Sequence, residues 1–191
     1  MPQTRTKLTM AAIGLALAAA GLIAPTAQAA QPGQVAQPPQ AVAPTTTTAV
    51  STTNQKAWAT AVFDQLNAER AQNGLKALRW SDRLFYSAHR HNLAMAQQNT
   101  LSHQLPGEAS LGDRVTVFYA WSSCGENIGW NGLRSQAGAL ALETAMYGET
   151  PPNDGHRRNI LSTSFADVGV DVIDDSAHGR IWLTTDFGRP R

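Results

Sequence analysis

The feature that most constrains the fold is a change in composition near residue 55. Residues 31–54 contain no charged and no aromatic residue, whereas all five tryptophans lie between Trp58 and Trp182. A segment so poor in large apolar side chains cannot bury enough surface to offset chain entropy. We therefore predict a disordered Pro/Thr/Gln-rich linker at residues 30–55 and one globular domain at residues 56–191.

Residues 1–29 have the three-part pattern of a secretory signal peptide. Arg5 and Lys7 precede an apolar run that extends to about residue 24, and the small residues Ala27 and Ala29 follow it. The run is marginal for crossing a bilayer, which needs roughly 20 apolar residues. Cleavage is therefore favoured over a retained anchor. The sequence predicts a secreted, extracellular protein, with cell-wall association as an option and membrane contact only through an uncleaved leader.

The charge content excludes some classes of partner, and the cysteine content excludes an internal disulfide. Without Arg5 and Lys7, 13 basic residues would face 14 acidic ones, so no positive field for nucleic acid or an anionic membrane is expected. Cys124 is the only cysteine, so the domain cannot form an internal disulfide and must be held by its core. We expect a monomer with no nucleic-acid partner.

Periodicity predicts helices first and an antiparallel hairpin last. Four helices are predicted, beginning near residues 56, 82, 112 and 135, the second capped by Ser81 and the third ending near residue 120. Near the end of the sequence, "DVGVDV" alternates valine with glycine or aspartate, and "DDSAHG" turns the chain into "RIWLTTDF". With a short strand at "ENIGW", this order indicates an α+β protein whose sheet lies between helices.

Four ionisable residues lie beside turn signals, where rigid elements can aim side chains at one point. They are His103, Glu126, Glu149 and His156. Two imidazoles and two carboxylates are a workable ligand set for zinc or a similar divalent ion. No local spacing such as His-Glu-x-x-His forces them together, so convergence would have to come from the fold.

Segments from residue 66 to residue 187 resemble the CAP superfamily, which includes cysteine-rich secretory, antigen 5 and pathogenesis-related proteins, in its bacterial secreted form. The matching segments, in order, are "LNAERAQNGLKALRWSDRL", "AHRHNLAM", "LSH", "DRV", "GENI", "GHRRNIL", "DVGVDV" and "IWLTTDFG". The resemblance implies a three-layer α-β-α sandwich with a small antiparallel central sheet and a central cleft. The cysteine pairs of animal and plant members are missing, so their disulfide-dependent features do not transfer.

The resemblance also implies a metal-binding tetrad in that cleft. By motif, its members are His103 in "LSH", Glu126 in "GENI" and His156 in "GHRRNIL". The fourth is Glu149, which follows Met146 by three residues where many animal and plant members have a tryptophan before the glutamate. Zinc is the first expected ion. Its affinity should fall as protons compete for the imidazoles, near a pH of about 6 to 7.

Two functions remain open at this point. The first is a secreted binding module for a lipid, a cell-envelope component or a protein partner, which is favoured. The second is a metal-dependent extracellular hydrolase of the peptidase type. Four direct protein ligands would close a zinc site, whereas two histidines with water-holding glutamates would leave room for an activated water and a general base.

Other residues have structural interpretations. His91 lies on the apolar stripe of the second helix and is predicted to be a core residue, with His89 facing elsewhere because positions i and i+2 do not share a helix face. Asn127 and Asn159 are predicted to fix loops through backbone hydrogen bonds.

Two further residues have competing interpretations. For Glu126 the structural alternative, which is compatible with a site role, is an ion pair with Arg157 or Arg158 or a cap on nearby backbone N–H groups. Cys124 could be a nucleophile, but a small buried apolar role is favoured.

Overall fold

The computed structural model describes residues 52–191, so the predicted signal peptide and residues 30–51 of the predicted linker lie outside the described residues. Five helices and four strands follow one another along this part of the chain. In order they are α1 (Thr52–Gln72), β1 (Arg79–Trp80), α2 (Asp82–Gln98), α3 (Leu111–Thr116), β2 (Trp121–Asn131), α4 (Gln136–Tyr147), α5 (Gly155–Ile160), β3 (Asp167–Asp175) and β4 (Arg180–Pro190).

The helix boundaries follow local capping chemistry. The Ser81 side chain accepts a hydrogen bond from the Leu84 N–H and starts α2, which ends at Asn99 in the left-handed conformation. Ser135 caps α4 in the same way through the Gly138 N–H. The first helix begins at Thr52, inside the segment assigned to the linker, and α3 ends at Thr116 rather than near residue 120.

The sheet has the strand order β1-β3-β4-β2. Strand β4 lies in the middle and pairs antiparallel with β3 and with β2, which confirms the predicted hairpin. The sheet is mixed rather than wholly antiparallel, because the two-residue strand β1 pairs parallel with β3. The strand expected at "ENIGW" is longer than predicted and spans Trp121–Asn131.

Alternating side chains of β4 divide the core into two layers. Ile181, Leu183 and Phe187 are fully buried and pack with residues of α1 and α4. Trp182 lies on the opposite face and packs against Met95 of α2. The result is the predicted α+β architecture, a three-layer α-β-α sandwich. Within residues 52–191, no helix combines the length and the apolar character needed to cross a membrane.

Helix α2 rests directly on the sheet at Gly169. A Cβ atom at this position would lie 2.0 Å from the Phe85 backbone nitrogen and 2.3 Å from the Leu84 carbonyl carbon. Only a residue without a side chain permits this approach, and the approach fixes how deeply α2 and the loop after it sit over the sheet.

Candidate functional site

The four predicted site residues line a single cleft of ≈ 600 Å³. His103 lies in the loop after α2, Glu126 on β2, Glu149 after α4 and His156 in the first turn of α5. The fold therefore brings together residues that are up to 53 positions apart in the sequence. Their role as metal ligands stays a prediction.

The four side chains form two histidine–glutamate pairs. The Nδ1 atom of His103 lies 2.9 Å from Oε1 of Glu126, and Nδ1 of His156 lies 2.6 Å from Oε1 of Glu149. Within residues 54–191, neither histidine makes a hydrogen bond through Nε2. Each imidazole is thus oriented by a carboxylate and keeps its second nitrogen available.

The Glu126 carboxylate is held from behind by Arg114. Only 1% of the Glu126 side chain is exposed, against 57% of the His103 side chain. Nη2 of Arg114 lies 3.1 Å from Oε2 of Glu126 and also donates to the backbone carbonyl of His103 at 2.9 Å. One guanidinium therefore fixes both members of this pair.

The alternative ion pairs expected for Glu126 are wrong. Arg157 donates to the Tyr147 carbonyl, and Arg158 pairs with Asp154. Both arginines belong to α5, whereas Glu126 faces Arg114 of α3. The "DRV" segment containing Arg114 was among the matching motifs, and this motif was the available signal for its role.

A buried polar layer lies behind Glu126. His91 is 0% exposed, which confirms its predicted core position. Its Nδ1 atom lies 2.8 Å from Oε1 of Glu108, and its Nε2 atom lies 3.8 Å from Oε1 of Glu126. The helical stripe did not reveal this proximity to the cleft, because the stripe reports burial and not the neighbour across the layer.

Asp186 belongs to the same layer. It is the antiparallel partner of Glu126 on β4 and is completely buried. Burial, reinforced by the negative charge of Glu126, holds the pKa of Asp186 well above its usual range. The positive charge that pairs with Glu126 comes from Arg114.

The Glu149 carboxylate is fully engaged by α5. Its Oε2 atom accepts the His156 backbone N–H at 2.9 Å, and its Oε1 atom lies beside the His156 ring. Partial burial raises the pKa of Glu149, but the hydrogen bonds from His156 outweigh burial and the net pKa is lowered. Glu149 is consequently an ionised acceptor that sets the position of His156.

Two asparagines join the two histidine–glutamate pairs. Asn127 Nδ2 donates to the His156 carbonyl at 3.1 Å. Asn159 Nδ2 donates to the Glu126 carbonyl and to Asn127 Oδ1. Both asparagines bond to backbone carbonyls as predicted, but they lie on β2 and α5 rather than in loops, so they tie these two elements together instead of fixing a loop.

Two other predictions concern His89 and Cys124. The His89 ring bonds to Asp171, away from the cleft. Cys124 is half-buried and packs beside Leu84 and Val115. Burial, together with the charges of Asp186 and Glu126, raises the pKa of the Cys124 thiol. A thiol of this kind is a poor nucleophile, which favours the packing role.

The site is a pair of available imidazoles rather than a closed cage. In the part of the chain that the structure describes, no three His, Cys, Asp or Glu side chains are grouped closely enough to share an ion. The Nε2 atoms of His103 and His156 are imidazole nitrogens that make no hydrogen bond within residues 54–191 and could bind a metal. Histidines that bind metals usually donate their other ring N–H to a carboxylate, as both do here.

Comparison with known proteins places this chain in one family. The model of the CAP family, described as the cysteine-rich secretory protein family, matches residues 63–187. That match covers more than half of the chain. The chain belongs to the CAP (cysteine-rich secretory protein) family.

Two individual bacterial proteins are similar to this chain in sequence or in structure. The uncharacterized protein YkwD of Bacillus subtilis (strain 168) is 30% identical over 134 residues, which are 70% of this chain and 48% of YkwD. The solved structure of an extracellular protein containing an SCP domain from Bacillus anthracis str. Ames has a TM-score of 0.60 and 26% identity, covering 71% of this chain and 41% of that one. The chain thus spans less than half the length of either relative.

A more distant solved structure shares the fold. NaASP2 with Zn²⁺ has a TM-score of 0.54 and 14% identity, covering 74% of this chain and 84% of that one. At this identity the likeness concerns the fold alone.

Proposed function

We propose that this protein is a binding module whose cleft holds a divalent ion between the imidazoles of His103 and His156. The observation that carries the proposal is the pairing of each Nδ1 with a glutamate, which leaves each Nε2 without a hydrogen bond among the described residues. This arrangement fixes the ring orientation and raises the basicity of the free nitrogen. Zinc is the first candidate because it accepts imidazole readily.

In this proposal Glu126 and Glu149 orient the histidines and do not bind the ion directly. Glu126 has a side chain that is 1% exposed and is bonded by Arg114 and His103. Glu149 accepts from the His156 ring and backbone. An ion with two protein ligands keeps coordination positions for water or for oxygen atoms of an incoming ligand.

The same engagement favours binding over hydrolysis. A general base works best when its pKa lies near the operating pH and when water can reach it. The hydrogen bonds from His156 lower the pKa of Glu149, and only 1% of the Glu126 side chain is exposed. We propose that the cleft captures a lipid, cell-envelope component or protein partner without changing it chemically.

Calorimetric titration of the full chain with zinc tests the metal site. His103→Ala and His156→Ala should each lower zinc affinity more than about tenfold, the cost of losing one of two ligands. His178→Ala is a matched control, because His178 also bonds a carboxylate through Nδ1, that of Asp175, but does not line the cleft. Equal zinc affinity in wild type and both cleft variants would contradict the proposed site.

A second measurement separates binding from catalysis. The zinc-loaded chain should retain envelope or lipid material that mass spectrometry identifies as chemically unchanged. Metal-dependent turnover of a peptide or cell-wall substrate that disappears in His103→Ala would instead establish the hydrolase.

A further inference from the structure

A second cavity, of ≈ 490 Å³, is lined by basic side chains. Its cations are Arg70 from α1, Lys76 from the loop before β1, Arg79 from β1 and Arg189 from β4. None of its lining residues is acidic, and none is shared with the cleft that holds His103 and His156. The volume lies within the range of small-molecule sites, about 300–1,000 Å³.

The side chains that line this cavity keep a net positive charge after the ion pair of Arg79 is counted. Arg79 is paired with Asp167 at 2.8 Å. Arg189 donates only to the neutral carbonyls of Ser164 and Thr163. Lys76 is exposed, and its ammonium group makes no hydrogen bond or ion pair within residues 54–191. Three of the four cations thus lack a carboxylate partner in the described part of the chain.

Arg70 differs from the other three cations because it is 3% exposed and forms no ion pair with an acid among the described residues. Its Nε and Nη1 atoms donate to the carbonyls of Lys76, Ile160 and Ser162. Among the described residues, its Nη2 atom has no acceptor. Burial lowers the pKa of this guanidinium, because its charge is held away from water.

We propose that this cavity binds a phosphate group. Guanidinium and ammonium groups that separate elements supply to one cavity suit an oxyanion with several acceptor atoms. A concave surface lined by one sign of charge also concentrates such an anion. Phe165 and Leu75 supply an apolar wall beside the cations, so the phosphate would be carried on a larger molecule. The phosphate could belong to a soluble ester or to a lipid headgroup.

The test uses the full chain and three phosphate probes: inorganic phosphate, glycerol 3-phosphate, and vesicles of phosphatidylglycerol set against vesicles of phosphatidylcholine. Binding is followed by chemical-shift titration for the soluble probes and by co-sedimentation for the vesicles. Lys76→Gln and Arg189→Gln should each weaken binding about tenfold, the loss expected for one charge-assisted contact. Lys56→Gln is the matched control, since Lys56 lies on α1 but not in the cavity.

Each outcome supports or overturns the proposal. Saturable binding of a soluble probe that is weakened by Lys76→Gln but not by Lys56→Gln supports a soluble phosphate ester. The same variant pattern with phosphatidylglycerol vesicles alone supports a lipid headgroup. Binding of no probe, binding equal in wild type and both cavity variants, or equally tight binding of acetate overturns it. Zinc titration of Lys76→Gln should match wild type, so this result is independent of the metal site.

Discussion

Nη2 of Arg114 lies 3.1 Å from Oε2 of Glu126, and both side chains are almost completely buried. This contact supplies the positive charge that makes a buried glutamate possible at the back of the cleft. A buried ion pair often contributes little net stability, but removing one partner leaves an uncompensated charge. The contact therefore governs both folding and the orientation of His103.

Arg114→Ala should destabilise the domain by about 3–5 kcal/mol, the usual cost of breaking a buried pair. Arg114→Lys should destabilise the domain less, because the positive charge remains although the planar, two-pronged guanidinium is lost. Urea unfolding measures both variants. If Arg114→Ala lowered the free energy of unfolding by less than about 1 kcal/mol, this pair would contribute no more than a surface ion pair, which would contradict its structural role.

Asn127→Ala should lower zinc affinity about tenfold, because it removes the hydrogen bond from β2 to the His156 carbonyl and loosens the second imidazole. Calorimetric titration measures the change. Asn73→Ala is the control, since Asn73 bonds to Glu69 and Tyr147 away from the cleft. Equal affinity in both variants and wild type would show that the bridge does not position the ring.

A buried acid pair links α1 to α4 and predicts a pH dependence of stability. Glu143 is 0% exposed and Glu69 is 6% exposed. Burial, with the charge of Glu69, raises the pKa of Glu143 well above its usual range. Burial also raises the pKa of Glu69, although Gln65 and the charge of Arg157 act in the opposite direction. Two carboxylates can share a hydrogen bond only when one carries a proton.

Glu143→Gln should stabilise the domain by about 1–3 kcal/mol near neutral pH. The sign follows from the raised pKa. The stability contribution of the protonated acid is complete below the unfolded pKa, about 4.3, and is lost as pH rises through the higher folded pKa. The stability difference between variant and wild type should therefore grow with pH.

Unfolding measured from pH 4 to pH 8 gives this difference directly. Asp64→Asn serves as the control, because it removes an exposed carboxylate from α1. The prediction is wrong if the difference in unfolding free energy between Glu143→Gln and wild type stays constant across this pH range.

Gly169→Ala should destabilise the domain by about 3 kcal/mol, the upper end for overpacking, because the new methyl group would meet the α2 backbone at Phe85. Gly132→Ala should be nearly neutral, since a Cβ there meets no atom within 4 Å. Thermal unfolding compares the two. Similar midpoints would mean that α2 can move away from the sheet without cost.

The sequence predicted the helices and strands that carry a local signal, such as a helix cap or an alternating pattern. Ser81 and Ser135 mark helix starts through side-chain caps, and the valine alternation marks β3. Helix α5 was missed because it has only six residues and its N-cap, Asp154, makes no side-chain cap bond. Strand β1 was missed because two residues form a strand only through pairing with β3.

The site was predictable by motif but not by local spacing. His103, Glu126, Glu149 and His156 were singled out and line one cleft. The hydrogen bonds among them were not predictable, because they depend on how α2, β2 and α5 pack. Arg114 and His91 show the same limit, since they contact Glu126 from two other elements, α3 and α2.

The strand order determines when β2 gains a partner as the sheet forms. Strand β2, which carries Glu126, has β4 as its only neighbour in the sheet, and β4 is the last strand along the described chain. During folding, β2 therefore gains its strand partner in the described sheet only when β4 joins it. A chain cut before residue 180 lacks β4 and so cannot make the pairing that holds Glu126 at the back of the cleft.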